Sequence, residues 1–560
     1  MREIILIDFF DTVMFREVHS FQLLSQWAKI ISEKYGLNQD LLGIRKKLEN
    51  EFKDNIYEIP YKELIKNIFD MLDMDCSFDE FYKFCFDTEV NIDLSTQYPN
   101  SFIIRRLKKA KDAGKKIYIV SDYPLPRKAY DIYLSYFGLS ELFDGVFCSE
   151  DYHASKYRGT LYHVVLDELK IKAENAVMIG DSKKSDYINA QKYGLNTILY
   201  RPIFHKIKTN FRYRVQYDYR KDVIKHVFNL ESQKNMFGEY CVNFWFFEKE
   251  LYANLKNKGQ EPCFLARGGY LLQLLFNTYE YYRPKVDTIS SKYLRISRKV
   301  IIDAKNSKDG YQLLSDYFMQ EGINVSKLVL VDEGWNCSSQ FNLSKIFDCK
   351  TEGYYIGCFR KSDNDSVKLN GLLFEGDGNY KDIFEGIFRS DLTFYEQICT
   401  CSDGSIKCYE RVDGTIKPVE DKVDIEINLY NKYTKSIQKR IIQCFQLLCV
   451  WNPEISKNEL AHYVLKCGLN GDKRRIKILK EFDENYFENL AHGMNESSNK
   501  KAKAISNLKI KDLITNPCNY FRYICKVRLL RQSNPMIRLF YPVFKPLIQL
   551  YISLFVRTVR

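Results

Sequence analysis

The stretch Glu3-Ile4-Ile5-Leu6-Ile7-Asp8-Phe9-Phe10-Asp11-Thr12-Val13, close to the start of the chain, decides the predicted fold. Its four consecutive apolar residues are too few for a buried helix and predict a buried strand of a parallel sheet. The strand runs directly into a turn that carries Asp8, Asp11 and Thr12. Because ligands bind at the carboxyl ends of strands in an open parallel sheet, this turn is a candidate catalytic site. From this stretch alone, a strand followed by an aspartate-capped loop explains the pattern equally well.

The composition indicates a globular protein of several domains. The chain has 560 residues, of which 45% are hydrophobic and 28% are charged, and its length predicts three or four domains. No run of eighteen apolar residues occurs, so a spanning helix is not expected. The first strand follows Arg2 directly, so we expect no signal peptide. The sixteen scattered cysteines are then interpreted as reduced thiols of a cytoplasmic protein.

Three further apolar strands follow in the first third of the chain, and polar residues lie at or beyond their ends. Their alternation with helices predicts a doubly wound parallel sheet, and thus an α/β fold of the Rossmann type. A helical insertion at about residues 15–95 separates them from the first strand. The strands are residues 116–120, which end at Ser121; 145–148, which precede Lys156; and 176–179, which lead to Asp181 and Asp186.

These strand ends supply the residue types that phosphoryl transfer through an aspartyl-phosphate requires. A carboxylate attacks phosphorus, a hydroxyl and a lysine hold the phosphoryl oxygens, and further carboxylates bind Mg²⁺. Each feature alone is a weak signal. Four of them in this order at successive strand ends form a specific pattern.

The pattern resembles that of the haloacid dehalogenase superfamily over residues 1–205, with the insertion at about residues 15–95 as a substrate-covering helical cap. The resemblance implies that Asp8 is the nucleophile, that Ser121 binds phosphate and that Lys156 is the motif cation. It also implies a Mg²⁺ site, which would consist of the carboxylates of Asp8, Asp181 and Asp186 and the main-chain carbonyl of Phe10.

One position departs from the phosphatases of this superfamily, which carry a second aspartate two residues after the nucleophile as general acid. Here that residue is Phe10, and the carboxylate lies one position further on, at Asp11. The dehalogenating branch also carries an aromatic residue there, so a hydrolase other than a phosphatase is an alternative. Lys156, Asp181 and Asp186 favour the Mg²⁺-dependent phosphatase, with Asp11 or a cap residue as the proton donor.

Two strand–loop–helix units predict a second α/β domain at residues 248–410. The first unit ends in Arg267-Gly268-Gly269, and the main-chain amides of such a turn can hold an anion. The second unit ends in Asp332-Glu333, which can accept hydrogen bonds from vicinal sugar hydroxyls. The loop beyond it carries Ser338 and Ser339, which can hold a phosphate at a helix start. The structural alternatives are a tight turn and an N-capping loop with either serine as the cap.

The two units resemble the type I phosphoribosyltransferase arrangement over roughly residues 245–400. The resemblance implies that phosphoribosyl pyrophosphate is the donor, with its diphosphate at Arg267 and the two glycines. Asp332 and Glu333 would hold the ribose, Ser338 and Ser339 the 5-phosphate. A segment with Arg295 and Arg298 would lie near the diphosphate. Glu333 departs from this pattern, where aspartate is usual, and Trp335 is bulkier than expected.

The whole combination also resembles proteins of bacterial polysaccharide clusters that fuse a phosphoribosyltransferase to a phosphatase. This resemblance implies a bifunctional enzyme that makes ribofuranose in an O-antigen or capsule. The transferase would add 5-phosphoribose to a glycan acceptor, and the phosphatase would remove the 5-phosphate. One alternative is a single-activity hydrolase whose C-terminal region binds glycan or acts as a scaffold. Another is a degenerate hydrolase fold, marked by Phe10, without catalytic activity.

The remaining segments are predicted as a helical connection at residues 206–247, a mainly helical module at 411–530 and a basic amphipathic tail at 531–560. From Leu513 onward there are eight Lys and Arg residues and no Asp or Glu. This tail suits an anionic membrane surface, which predicts a lipid-linked acceptor and a peripheral position on the inner face of the cell membrane. Its aliphatic content argues against a nucleic-acid partner. The alternative is a tail that docks on its own protein.

Overall fold

The structure is a computed structural model, and the part of the chain that it describes consists of several ranges. The chain forms two compact units: Met1–His226 with Val450–Asn452, and Val227–Cys449 with Pro453–Arg560. The described residues are 3–53, 59–234, 237–361, 365–376, 383–421, 423–468, 474–475 and 477–482, with three single positions at 543, 546 and 550.

The first unit is built on a five-stranded parallel sheet, as the sequence predicts. The strand order is β5-β4-β1-β6-β7, and every neighbouring pair is parallel. The edge strand β7 was not predicted, because its four residues are half-exposed and begin with two polar side chains. The strands are β1 (Ile4–Ile7), β4 (Lys116–Ser121), β5 (Gly145–Cys148), β6 (Ala176–Gly180) and β7 (Asn196–Leu199).

The order of these strands places a topological switch point beside β1. The chain passes from β1 to β4 and β5 on one side and then returns to β6 on the other. Ile7 lies between Ile119 and Ile179 in the register, so the turns that follow β1, β4 and β6 meet at one edge of the sheet. Clefts at such switch points are where open α/β sheets bind ligands.

Helices cover the sheet and bury its apolar residues. One cluster joins Leu6, Val120 and Met178 of the three central strands to Leu161 and Val165 of α8. The helices of this unit outside the insertion are α5 (Ser101–Asp112), α6 (Arg127–Phe137), α7 (Ser149–Tyr152), α8 (Thr160–Glu168), α9 (Ala190–Lys192) and α10 (Ile203–Arg214); α11 (Val223–Lys234) follows them in the chain.

The described part of the predicted helical insertion contains four helices and is framed by a two-stranded antiparallel ribbon. Strands β2 (Met14–Arg16) and β3 (Gln97–Pro99) pair with each other, so the chain enters and leaves the insertion side by side. The helices between them are α1 (Ser20–Tyr35), α2 (Leu41–Lys53), α3 (Tyr61–Met71) and α4 (Phe78–Thr96).

The second unit contains another five-stranded parallel sheet, which confirms the predicted second α/β domain. Its order is β12-β11-β10-β8-β9. After β8 the chain adds β9 on one side and then crosses to β10 on the other, so the switch point lies between β8 and β10. The strands are β8 (Cys263–Leu265), β9 (Lys292–Leu294), β10 (Val329–Trp335), β11 (Thr351–Cys358) and β12 (Val367–Glu375).

Where the structure describes it, the rest of the second unit is mainly helical and has one hairpin. The hairpin joins β13 (Ser405–Val412) to β14 (Thr415–Asp421), and both Asp413 and Gly414 have positive φ, as a tight two-residue turn requires. The helices are α12 (Cys241–Lys258), α13 (Tyr270–Tyr281), α14 (Arg298–Asn306), α15 (Lys308–Gln320), α16 (Ser338–Ile346), α17 (Ile383–Ser390), α18 (Leu392–Cys399), α19 (Asp424–Leu429), α20 (Lys435–Cys449) and α21 (Lys457–Gly468).

The compact units differ from the predicted segments in two places. The first unit continues past residue 205 to His226, because His205 and Thr209 of α10 are buried in it. The predicted connection at 206–247 also includes residues 241–247, which are the start of α12. The aromatic residues of this helix are buried in the second unit. The tail at 531–560 and the end of the predicted module lie outside the described residues, apart from three single positions. Among the described helices, none is long and apolar enough to cross a membrane.

A buried ion pair in the helical insertion provides a test of its packing. The guanidinium of Arg45 donates two hydrogen bonds of 2.8 Å to Glu89, and both residues are buried. Arg45→Met should lower the free energy of unfolding by about 3–5 kcal/mol, because it leaves the Glu89 carboxylate buried and unpaired. Adding Glu89→Leu should recover most of this loss. Urea unfolding of the full-length chain measures both effects.

Lys47→Met is the matched control, since Lys47 lies on the same helix and its ion pair with Glu51 is exposed to solvent. It should change the free energy of unfolding by less than about 1 kcal/mol. Equal effects of Arg45→Met and Lys47→Met would contradict the described packing.

Candidate functional site

Asp8 lies at the carboxyl end of β1 and is held by two neighbours. Its side chain is buried, and Lys156 donates a 2.5 Å hydrogen bond from Nζ to Asp8 Oδ1. The hydroxyl of Thr12 donates to the other oxygen, Oδ2, at 3.1 Å. The carboxylate therefore has a fixed orientation at the switch point between β1 and β6.

Lys156 connects the carboxylates of two different strand ends. Besides Asp8, its ammonium donates to Asp186 Oδ1 at 2.7 Å, and its side chain is buried. Burial lowers the pKa of Lys156, but the charges of Asp186 and Asp8 outweigh burial and raise that pKa well above its usual value. The ammonium is therefore charged at neutral pH and neutralises part of the acidic cluster.

The main chain at Lys156 is positioned by two residues that were not among the predicted site residues. The carboxylate of Asp122 accepts the backbone N–H groups of Lys156 and Tyr157 at 2.7 and 2.9 Å. The amide of Asn189 donates to the carbonyls of the same two residues. Asp122 directly follows Ser121 at the end of β4, so its place at a strand end was the signal that could have identified it.

Three carboxylates form a site that fits a divalent cation. Asp8, Asp181 and Asp186 each offer an oxygen, and these oxygens all lie within 4.8 Å of one another. Gly180 makes room for this cluster, because a Cβ at that position would overlap with the side chain of Asp186. Carboxylate oxygens are the ligands that Mg²⁺ prefers, so the donor set agrees with the predicted metal.

The electrostatics of the cluster also favour a cation. Burial above all, and then the charges of Asp186 and Asp181, raise the pKa of Asp8 to about 8, although Lys156 acts in the opposite direction. Burial also raises the pKa of Asp181. A divalent cation between these groups would remove the repulsion that raises both pKa values.

Ser121 and Phe10 occupy different surroundings at this edge. Ser121 is buried at the end of β4, next to β1 in the sheet. The ring of Phe10 packs 4.6 Å from that of Tyr123, and the guanidinium carbon of Arg16 lies 3.8 Å from its centroid. The position that carries the general acid in superfamily phosphatases is thus filled by a packed aromatic residue.

The Arg16 that stacks on Phe10 also joins the sheet to the helical insertion. Its Nη2 lies 2.8 Å from Asp93 Oδ1 on α4, although the angle is not that of a hydrogen bond. Asp93 also accepts a 2.9 Å hydrogen bond from the hydroxyl of Tyr133. Arg16 therefore links the Phe10 position to the helical insertion.

Asp11 faces α10, a helix that was not among the predicted parts of the site. Its φ is +57°, and its Oδ1 lies 3.2 Å from Nε2 of His205 on α10. The next residue, Lys206, forms an ion pair with Asp181. Burial raises the pKa of Asp11, but the hydrogen bond with His205 and the charge of Arg16 together lower it by more, so the pKa of Asp11 is below its usual value. His205 is the last residue of the predicted domain and Lys206 is the first beyond it, and no sequence signal marked either of them.

The second unit has a cavity of 470 Å³ at its own switch point, and only some predicted residues line it. Among the described residues, twelve charged, hydroxyl or glycine residues line it, and six of them are predicted site residues: Arg267, Gly268, Arg298, Asp332, Glu333 and Ser339. The other six are Ser297, Lys299, Glu396, Thr400, Ser405 and Glu426.

Asp332 and Glu333 line this cavity, and each has a buried carboxylate oxygen. Asp332 Oδ1 and Glu333 Oε2 have no hydrogen-bond partner among the described residues. Burial, followed by the charge of Glu333, raises the pKa of Asp332 well above its usual value. A Cβ at Gly268 would overlap with both carboxyl groups, so glycine permits the close approach of the β8 turn to the acids.

Two other predicted residues, Gly269 and Arg295, do not line the cavity. Gly269 donates its N–H to the carbonyl of Leu265 at 2.8 Å and precedes α13. Arg295 forms an ion pair with Glu420. Arg267, which lines the cavity, also forms an ion pair with Glu426 at 2.8 Å.

The serines after β10 do not cap the helix that follows them. Ser338 is the first residue of α16, and Cys337 occupies the capping position with φ of +51° and no side-chain hydrogen bond to the helix start. The predicted alternative of a serine cap is therefore wrong. Of the two serines, Ser339 lines the cavity and Ser338 does not.

Comparison with known proteins identifies the first unit. Residues 31–200 match the family model described as haloacid dehalogenase-like hydrolase, so the chain carries such a hydrolase domain at its N-terminus. The match begins downstream of β1, and the placement of Asp8 and Asp11 rests on their geometry. Comparison with curated proteins gives no match.

Three solved structures illustrate the similarity. A HAD phosphatase from Thermococcus onnurineus is 22% identical and covers 36% of this chain and 87% of its own, with a TM-score of 0.26. A 2-haloacid dehalogenase from Pseudomonas syringae pv. Tomato is 20% identical and covers 36% and 86%, with a TM-score of 0.28. CbbY from Rhodobacter sphaeroides in complex with phosphate is 20% identical and covers 36% and 88%, with a TM-score of 0.27.

Binding of Mg²⁺ tests the carboxylate cluster directly. Asp181→Asn should weaken Mg²⁺ binding by about tenfold or more, because it removes one anionic ligand. Lys206→Met should strengthen binding, because the ammonium no longer competes with the cation for Asp181. Isothermal titration calorimetry with MgCl₂ measures both changes.

Lys208→Met is the control for the second variant, since both lysine side chains are 44% exposed and Lys208 pairs with Glu17 instead. It should leave Mg²⁺ affinity unchanged. Unaltered affinity in Asp181→Asn would contradict the assignment of the site.

Proposed function

We propose that the first unit is a Mg²⁺-dependent phosphatase that acts through an aspartyl-phosphate on Asp8. The observation that supports this proposal most directly is the buried Asp8 carboxylate, held by Lys156 and Thr12 within 4.8 Å of two further carboxylates. In the first step Asp8 attacks phosphorus, and the bond from phosphorus to the leaving alkoxide breaks. In the second step water attacks phosphorus, which releases inorganic phosphate and restores the Asp8 carboxylate.

The other residues of the site have roles that follow from their positions. The ammonium of Lys156 stabilises charge on the phosphoryl oxygens, and the hydroxyl of Ser121 donates to one of them. Mg²⁺ would be held by Asp8, Asp181, Asp186 and the carbonyl of Phe10, and when bound it would supply positive charge that shields the nucleophile from the phosphate.

We assign to Asp11 the proton exchange with the leaving group and the water. Its lowered pKa favours the carboxylate, which suits removal of a proton from the attacking water, and the proton for the leaving alkoxide reaches Asp11 through its 3.2 Å contact with His205. Phe10 is packed against Arg16 and Tyr123, so no acid occupies the usual position. The side chain of Asp11 is 41% exposed, whereas its partner His205 is buried. A dehalogenating hydrolase is the alternative consistent with Phe10, and the three carboxylates with their cation-binding geometry favour the phosphatase.

We further propose that the second unit transfers 5-phosphoribose from phosphoribosyl pyrophosphate. The specific observation in favour is the pair of buried carboxylate oxygens on Asp332 and Glu333 without partners, in a unit whose cavity also has Arg267, Arg298 and Lys299 on its lining. Ribose hydroxyls would satisfy these oxygens, while the cations and the Gly268 amide would hold the diphosphate. Ser339 would hold the 5-phosphate.

Together these activities would make ribofuranose on a bacterial surface glycan. The transferase forms a bond from ribose carbon 1 to an acceptor hydroxyl and releases pyrophosphate, and the phosphatase then removes the 5-phosphate. The acceptor is proposed to be lipid-linked, and the basic tail is proposed to bring the enzyme to the inner face of the membrane. The alternative is one hydrolase activity, with a C-terminal region that binds glycan or serves as a scaffold.

Replacement of the nucleophile tests the first proposal. Asp8→Asn should lower phosphate release from a 5-phosphoribosyl glycoside by roughly 10⁴-fold, because the amide cannot attack phosphorus. Asp131→Asn, an exposed carboxylate on α6, should retain full activity. Colorimetric phosphate release measures both rates, and an unchanged rate in Asp8→Asn would exclude Asp8 as the nucleophile.

Replacement of the two acids tests the second proposal. Asp332→Asn with Glu333→Gln should weaken binding of phosphoribosyl pyrophosphate by about 10–100-fold, because charged hydrogen-bond acceptors are lost. It should also abolish pyrophosphate release with a glycan acceptor while phosphatase activity remains. Asp309→Asn with Glu321→Gln, two exposed acids of the same unit, is the matched control. If wild-type protein binds no donor in calorimetry, the transferase proposal fails and the single-hydrolase alternative stands.

A further inference from the structure

Exposed apolar side chains of the first unit concentrate on and around α10. Among the described residues up to His226, eleven large hydrophobic side chains are exposed, and eight of them lie between Ile188 and Val215. Phe204 is 90% exposed, and Ile207 and Phe211 are 61% and 64% exposed. Single exposed apolar residues are ordinary, whereas a contiguous group of them marks a contact surface.

The helix packs on its unit through its polar side, which leaves its apolar side in solvent. Phe204, Ile207 and Phe211 follow the spacing of one helix face. The residues that face the unit are His205 and Thr209, each 8% exposed. This orientation is the reverse of that expected for a surface helix, whose apolar stripe normally faces the core.

The charged residues in and around α10 are all basic. From Tyr187 to Tyr217 the chain contains six Lys and Arg residues and no Asp or Glu. Lys206, Lys208 and Arg212 form ion pairs with carboxylates of the first unit. Arg201 and Arg214, near the two ends of α10, are exposed and have no ion pair among the described residues.

We propose that the α10 face, formed by Ile203, Phe204, Ile207, Phe211 and Val215, lies on an anionic phospholipid surface. Aromatic and aliphatic side chains on a helix with flanking cations are the composition of interfacial helices, which place their apolar side at the headgroup boundary. The exposed arginines at both ends contact lipid phosphates. A second copy of the chain fits less well, because two such segments would bring basic residues together without a carboxylate between them.

This attachment would place the catalytic edge beside the lipid. The opposite side of α10 carries His205, which contacts Asp11, and Lys206, which contacts Asp181. A helix bound to the membrane through Phe204 and Phe211 therefore brings the carboxylate cluster close to the headgroups of lipid-linked substrates. This consequence rests on the proposed phosphatase, whereas the attachment itself does not.

Tryptophan fluorescence in the full-length chain tests the attachment at the helix itself. Phe204→Trp should be quenched by vesicles of phosphatidylglycerol with brominated acyl chains, because the indole enters the bilayer. Phe102→Trp is the matched control at an exposed position outside the segment, and its fluorescence should not change. The four natural tryptophans are all buried, at 6% exposure or less, so they contribute an unquenched background.

Three further measurements complete the test. Phosphatidylcholine vesicles should not quench Phe204→Trp, and Phe204→Ser with Phe211→Ser should weaken sedimentation with phosphatidylglycerol vesicles by about tenfold or more. Adding Asp8→Asn to Phe204→Trp should leave the quenching unchanged, which separates attachment from catalysis.

Several outcomes would overturn the proposal. Sedimentation of the protein with vesicles without quenching of Phe204→Trp would assign membrane binding to another segment. Absence of sedimentation, or equal quenching by neutral vesicles, would contradict an anionic lipid surface. A dimer that Phe204→Ser with Phe211→Ser converts to a monomer would assign the α10 face to a second copy of the chain.

Discussion

The buried ammonium of Lys156 is the interaction on which the first site depends. Three carboxylates at one sheet edge would repel each other in a medium of low dielectric constant, and the cost of burying an unpaired charge is several kcal/mol. Lys156 donates to Asp8 and Asp186 at once, and Asp122 and Asn189 hold its main chain. The lysine thus offsets part of the burial and repulsion that raise the pKa of Asp8.

The two units place acids at the same topological position but satisfy them differently. In the first unit, Lys156 neutralises Asp8 internally, so the site is prepared for an anionic phosphate. In the second unit, Asp332 and Glu333 have buried oxygens without partners, and the pKa of Asp332 is raised. A neutral ligand that donates hydrogen bonds suits this second arrangement, and sugar hydroxyls have that character.

The sequence predicts the parts of the fold that depend on short-range patterns. Apolar runs that end in polar residues identify β1, β4, β5 and β6, together with Asp8, Ser121, Lys156, Asp181 and Asp186. The half-exposed edge strand β7 lacks such a run. His205 and Lys206 reach the site only because α10 folds back onto the sheet, and a charged aromatic helix carries no local sign of that packing. Residues whose role depends on long-range packing therefore cannot be predicted from the sequence alone.

Transfer of a phosphoryl group to Asp8 can be detected by the mass of the peptide that contains this residue. Full-length protein is mixed with a 5-phosphoribosyl glycoside and Mg²⁺ and quenched in acid within a turnover. If Asp8 is the nucleophile, this peptide becomes heavier by one phosphoryl group, and the added mass is absent from Asp8→Asn. Phosphate release by the wild type without any phosphorylated Asp8 peptide would contradict this role of Asp8.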